Sequence, residues 1–81
     1  MSAARKILIV DDDDDLRESL KEQLALYDEF ELAAAPTAAK GLEAVKSGHF
    51  DLLILDVNLP DMDGRELCKQ LRKTGFKSPI I

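Results

Sequence analysis

Asp11 and Asp12 stand directly behind a run of β-branched and leucine residues, Lys6-Ile7-Leu8-Ile9-Val10, and Asp56 stands directly behind a second run, Leu52-Leu53-Ile54-Leu55. Carboxylates at close quarters repel one another, so grouping them is costly unless a cation or a shared proton relieves the repulsion. A divalent metal meets that need. Magnesium is a hard ion that prefers oxygen ligands and is usually held by one or two carboxylates together with a phosphate. A metal beside an aspartate also neutralises phosphoryl oxygens, which lets the carboxylate act as a nucleophile on phosphorus. The chemistry these residues point to is metal-assisted phosphorylation of an aspartate.

The elements that must position them follow from pattern. A short apolar run stopped by polar residues reads as a strand buried on both faces, the kind found in a parallel sheet covered by helices. Ligands of such sheets lie beyond the carboxyl ends of the strands, at the switch in topology. Two such strands side by side would bring Asp11, Asp12 and Asp56 to one edge. Between them, the spacing predicts a first helix starting within residues 13–15, where carboxylates cap free amides, with Leu16, Leu20, Leu24 and Tyr27 toward the sheet. An alanine-rich second strand is expected at residues 30–35, closed by Pro36-Thr37, with Thr37 as the cap of a second helix over residues 38–46. Leu42 and Val45 would face inward in that helix, Gly41 weakens it, and Ser47-Gly48 stops it. A third helix should follow Asp63, which caps it with Glu66 completing a box-like pairing; Leu67 and Leu71 form its apolar face and Gly75 ends it. The alternation βαβαβα, with a fourth strand beginning at Pro79-Ile80-Ile81, is an α/β doubly wound parallel sheet. Right-handed crossovers set the strand order 2-1-3-4, with helix one on the face opposite helices two and three.

The stretch Ile7-Leu8-Ile9-Val10-Asp11-Asp12-Asp13, followed at a distance by Leu53-Ile54-Leu55-Asp56-Val57-Asn58-Leu59-Pro60-Asp61-Met62-Asp63-Gly64, resembles the receiver domain of bacterial two-component response regulators, a flavodoxin-like fold. The resemblance runs through essentially the whole chain. It implies that Asp56 accepts a phosphoryl group from a sensor histidine kinase or phosphotransfer protein, and that Asp11 and Asp12 form the acidic Mg2+ pocket. It further implies Asp12, Asp56 and the main-chain carbonyl of Asn58 as metal ligands, with Asp11 bound mainly through water. Receivers of this family continue through a fourth and fifth strand carrying a Thr or Ser and a Lys, which residues 1–81 do not reach. A single partial receiver domain over residues 1–81 is therefore expected, a signalling phosphoacceptor rather than an enzyme.

Composition is compatible with this and excludes other classes. A net charge of −5 disfavours direct nucleic-acid binding, which relies on a basic footprint. The single cysteine, Cys68, cannot form an internal disulfide, and no stretch is long and apolar enough for a membrane span or secretory signal, so a cytoplasmic setting is expected. A calcium loop built on Asp11, Asp13 and Asp15 fails because Leu16 stands where the sharp-turn glycine is needed. An aspartate-nucleophile phosphatase would carry a second acid two residues after Asp56, where Asn58 stands. The remaining competitor is a truncated or degenerate receiver that acts only as an interaction module, dimerising or exchanging elements through an exposed sheet edge. Other polar residues have plainer roles. Asp13, Asp14 and Asp15 are helix-start residues, Asp61 and Asp63 loop and cap residues, and His49 a surface or turn residue. Cys68, at helical spacing next to Leu67 and Leu71, is expected to be a packing or partly exposed residue rather than a reactive thiol. Lys69, Arg72, Lys73 and Lys77 make a solvated basic end to the third helix.

Overall fold

Four consecutive apolar side chains, Ile7 to Val10, can all escape water only if both faces of their strand are covered. The computed structural model, which describes residues 5–81, builds that arrangement. Strand β1 (Arg5–Val10) is central, and Ile7, Leu8, Ile9 and Val10 are all 3% exposed or less. It pairs in parallel with β2 (Phe30–Ala35) on one side and β3 (Leu52–Leu55) on the other, giving the order β2-β1-β3. Residues 79–81 extend this order along the outer edge of β3. Leu53 donates to the Pro79 carbonyl at 3.0 Å, Leu55 to that of Ile81 at 2.9 Å, and Leu53 and Ile80 form a parallel bridge.

Side chains alternate across this sheet. Leu8, Val10 and Leu53 join Leu59, Leu67 and Leu71 in the main core, beneath helices α2 (Ala38–Ser47) and α3 (Gly64–Lys73). Ile7 and Ile9 therefore point to the other face, where α1 (Asp14–Leu24) packs against β2. The coverage there is thinner: α1 has no fully buried residue. Leu20 and Leu24 are partly buried as expected, but Leu16 is 44% exposed and Tyr27, beyond the helix end, 53%. The reason is geometric: a strict four-residue spacing drifts around the helix by about 40° per step. Leu16 is thus rotated out of the row, and Arg17 takes the inward position. Tyr27 packs edge-on against Phe30 instead, with ring centroids 5.8 Å apart.

The helix starts are chemically specified. Asp13 caps α1, accepting from the amides of Asp15 and Leu16 at 3.0 and 3.1 Å. Thr37 caps α2 through the Lys40 amide, and Asp61 reaches across from the β3–α3 loop to accept from the amides of Ala38 and Ala39 at 2.9 and 3.0 Å. Asp63 caps α3 through the Arg65 amide. The expected box partner Glu66 is replaced by Arg65, whose guanidinium grips both carboxylate oxygens of Asp63. The arginine fork gives the cap two charge-assisted bonds. Gly75, at φ 95°, follows the Thr74 cap in the left-handed region and closes α3.

Two glycines mark close approaches. A β-carbon on Gly41 would lie 2.9 Å from a Val10 methyl, so the residue that costs helix propensity lets α2 settle on β1. At Gly64 a β-carbon would lie 2.2 Å from the Asp56 carbonyl oxygen, while the Gly64 amide donates to the Val57 carbonyl at 2.7 Å. Backbone cannot yield as a side chain can. Gly64→Ala is therefore expected to destabilise the fold by about 2 kcal/mol or more, read from urea unfolding midpoints, whereas an unchanged midpoint would show that the turn relaxes freely.

Three hydrogen-bonded carboxylates, two of them at helix starts, contribute to the response of the fold to acid. The Arg65 side chain, helped by its amide, lowers Asp63 from the ordinary 3.8 to about 2. The Ala39 and Ala38 amides hold Asp61 below the usual range, and the Lys6 amide, then the ring of His49, do the same for Asp51. Each group holds fewer protons folded than unfolded, so its contribution is complete above the unfolded value and is lost as pH falls toward the folded one. Urea midpoints should be level at neutral pH and decline from about pH 4 toward pH 2. Asp63→Asn should flatten part of that decline; a parent midpoint rising in acid would contradict the assignment.

Candidate functional site

Register brings the acids together. Val10 is paired with Leu55, and the ladders run on by one residue: the Asp56 amide donates to the Val10 carbonyl at 2.9 Å, and the Asp11 amide to the Ala35 carbonyl at 3.1 Å. Asp11 and Asp56 thus leave adjacent parallel strands at the same level. Asp12 is the next residue of the β1–α1 loop. Ligand oxygens of Asp11, Asp12 and Asp56 all lie within 4.8 Å of one another.

Burial is graded across this group: Asp11 is 9% exposed, Asp56 partly buried and Asp12 open to solvent. The Asp13 amide donates to Asp11 Oδ1 at 2.9 Å, and the Asn58 amide donates to Asp56 Oδ1 at 3.3 Å. Among the described residues none of the three forms an ion pair; the pairs present are Arg17–Asp14, His49–Asp51 and Arg65–Asp63. Two unit charges about 4 Å apart cost about 1 kcal/mol in water and about 4 kcal/mol near a protein surface, so the cluster is an uncompensated concentration of negative charge. An all-oxygen donor set of this kind fits a hard divalent cation such as magnesium, which needs carboxylate oxygens and room for its own waters.

Asn58 lies on the loop behind Asp56 and forms an antiparallel bridge with Asp63. That bridge and the Gly64 turn hold the loop as a tight bend rather than an open excursion. Asp61 and Asp63 lie outside the cluster and serve the caps of α2 and α3. At the opposite ends of the strands, exposed His49 pairs with Asp51, which accepts from the Lys6 amide at 2.8 Å and ties β3 to β1. Cys68 is partly buried on α3.

Arg17 is not among the residues whose type and spacing point to chemistry. Its side chain is only 16% exposed, with Nη1 donating to the Asp11 main-chain carbonyl at 2.6 Å and Nη2 to the Asp14 carboxylate. The available signal was the i,i+3 spacing of Asp14 and Arg17 on a helix start, which ordinarily marks no more than a surface pair.

The family model described as the response regulator receiver domain matches residues 7–81. Response regulator MprA of Mycobacterium ulcerans is 42% identical over 76 residues, which cover 94% of this chain and 32% of that protein. The chain thus spans about a third of the length of such relatives. Among solved structures, response regulator TrrA of Thermotoga maritima superposes with a TM-score of 0.86 at 36% identity, covering 94% of this chain and 65% of that one. TrrA has been solved in complex with Mg(2+)-BeF and with the histidine kinase ThkA. Chemotaxis protein CheY4 of Vibrio cholerae superposes with a TM-score of 0.90 at 31% identity, covering 96% of this chain and 66% of that one. By the strand order, the acidic edge and these matches together, the chain belongs to the response regulator receiver domain family.

Proposed function

We propose that this chain is a phosphoacceptor of two-component signalling, taking a phosphoryl group from the phosphohistidine of a sensor kinase or phosphotransfer protein onto Asp56. The observation that carries the reading is the convergence of Asp11, Asp12 and Asp56 within 4.8 Å at the carboxyl ends of two buried parallel strands. An Asp56 carboxylate oxygen attacks phosphorus as the bond from phosphorus to the imidazole nitrogen breaks, and the electron pair stays with the imidazole. The Asn58 amide, 3.3 Å from Oδ1, orients the carboxylate and leaves Oδ2 free to react. Positioning and electrostatics do most of such work, because little covalent chemistry is asked of the protein. Asp11, Asp12, Asp56 and the Asn58 carbonyl would hold Mg2+. Its charge, when bound, offsets that of the phosphoryl oxygens.

Kinase partnership is supported by the likeness to TrrA, whose complex with its histidine kinase is known. No helix among the described residues is long and apolar enough to cross a membrane, and a cytoplasmic place is part of the proposal. A second reading, a receiver that acts through contacts alone, draws support from the exposed apolar side chains of Leu16, Leu26 and Val57.

Intact mass after incubation with a small acyl phosphate separates the two. The expected result is addition of one phosphoryl group to the parent, none to Asp56→Asn, and a fall in uptake to about a hundredth or less when Mg2+ is chelated. A folded parent that gains no mass would sink the phosphoacceptor reading in favour of the contact module.

A further inference from the structure

We propose that Arg17 is a positioning residue for the acidic site, its guanidinium clamping the peptide unit that joins Asp11 to Asp12 so that both carboxylates are aimed at one cation. The proposal rests on reading the cluster as the magnesium site. The carbonyl that Arg17 Nη1 holds at 2.6 Å belongs to that joining peptide, so one hydrogen bond fixes the plane from which two of the three acidic side chains depart. The second arm of the guanidinium, on Asp14, is anchored in the first turn of α1. Loop and helix are thereby locked to each other. The Asp13 amide, held against Asp11 Oδ1 at 2.9 Å, and the Asp13 cap on α1 complete a closed set of bonds around residues 11–17.

The sheltering of the arginine is part of the argument. A surface pair with Asp14 alone would leave the side chain in water, yet Arg17 is 16% exposed while Asp14 is 85% exposed. Arg17 forms no ion pair with the carboxylates of Asp11, Asp12 or Asp56, and its bond to Asp11 is to the main-chain carbonyl. The cation therefore organises the pocket without filling it. Only a planar fork delivers two donors in fixed directions; a lysine ammonium keeps the charge and loses that geometry.

The sign of the effect separates positioning from simple charge. Removing a positive group beside a cation site should strengthen Mg2+ binding through space, whereas losing the clamp should weaken it. The test is Mg2+ titration followed by backbone amide NMR, with thermal unfolding by circular dichroism, on the parent, Arg17→Met, Arg17→Lys and Asp12→Asn. Arg17→Met is expected to bind Mg2+ about tenfold more weakly or worse, and to shift or broaden the Asp12 amide signal before any metal is added. Arg17→Lys should also bind more weakly, by about threefold, although its charge is unchanged. If Arg17→Met does not fold, the lysine variant decides alone: affinity equal to the parent overturns the proposal. Unchanged or tighter binding by a folded Arg17→Met overturns it as well. Should the parent bind Mg2+ in a way Asp12→Asn leaves untouched, the site reading itself fails and the proposal with it. Binding weakened by Asp12→Asn and not by either Arg17 variant removes the role of Arg17 alone.

Discussion

Everything at the acidic edge depends on the pairing of β1 with β3. Three negative side chains will not stay within 4.8 Å of one another unless something stiffer than their repulsion holds them. That stiffness comes from the strand beneath them. Ile7 to Val10 are sealed on both faces, and slipping the pairing by one residue would turn Leu53 and Leu55 out of the main core. Since Val10 lies beside Leu55, Asp11 and Asp56 have no choice but to emerge together. The apolar strand and the polar site are thus one design: the first fixes the register, and the register places the charges.

Around that axis the two faces of the sheet are unequal. On one side α2 and α3 close over Leu8, Val10 and Leu53, with Leu67 and Leu71 fully enclosed. On the other, α1 is the one helix among the described residues; it offers only partly buried leucines, and its start is tethered to the loop of the site. The tether and the thin packing belong together. A helix with few core contacts takes its place from its polar first turn, where Asp13, Asp14 and Arg17 are engaged.

Much of this was legible in the residues. The runs before Asp11 and Asp56 gave the strands and their burial, the caps Thr37 and Asp63 marked two helix starts to the residue, and the acidic run 13–15 bracketed the start of α1, capped by Asp13. Turn chemistry and apolar period are local, so a sequence exposes them. What it hid was long range or subtle in phase. The drift of an i,i+4 row put Leu16 outside the packed face. Asp61 reads as a loop acid, yet it caps a helix that begins 23 residues earlier. Arg17 reads as a surface partner of Asp14, although its more telling bond is to a backbone carbonyl that carries no signature in the sequence. Gly41 reads as a flaw in a helix until the Val10 methyl beside it is known.

The bonds from Asp61 to Ala38 and Ala39 give the loop behind Asp56 a mechanical connection to a helix that shares no residue with the site. The bend that carries Asp56, Asn58 and Gly64 cannot move as a rigid piece without pulling on the first turn of α2 or letting go of it. The amide protons of Ala38 and Ala39 consequently act as a gauge: their exchange with solvent reports whether the loop is seated or displaced, at a distance from the chemistry itself.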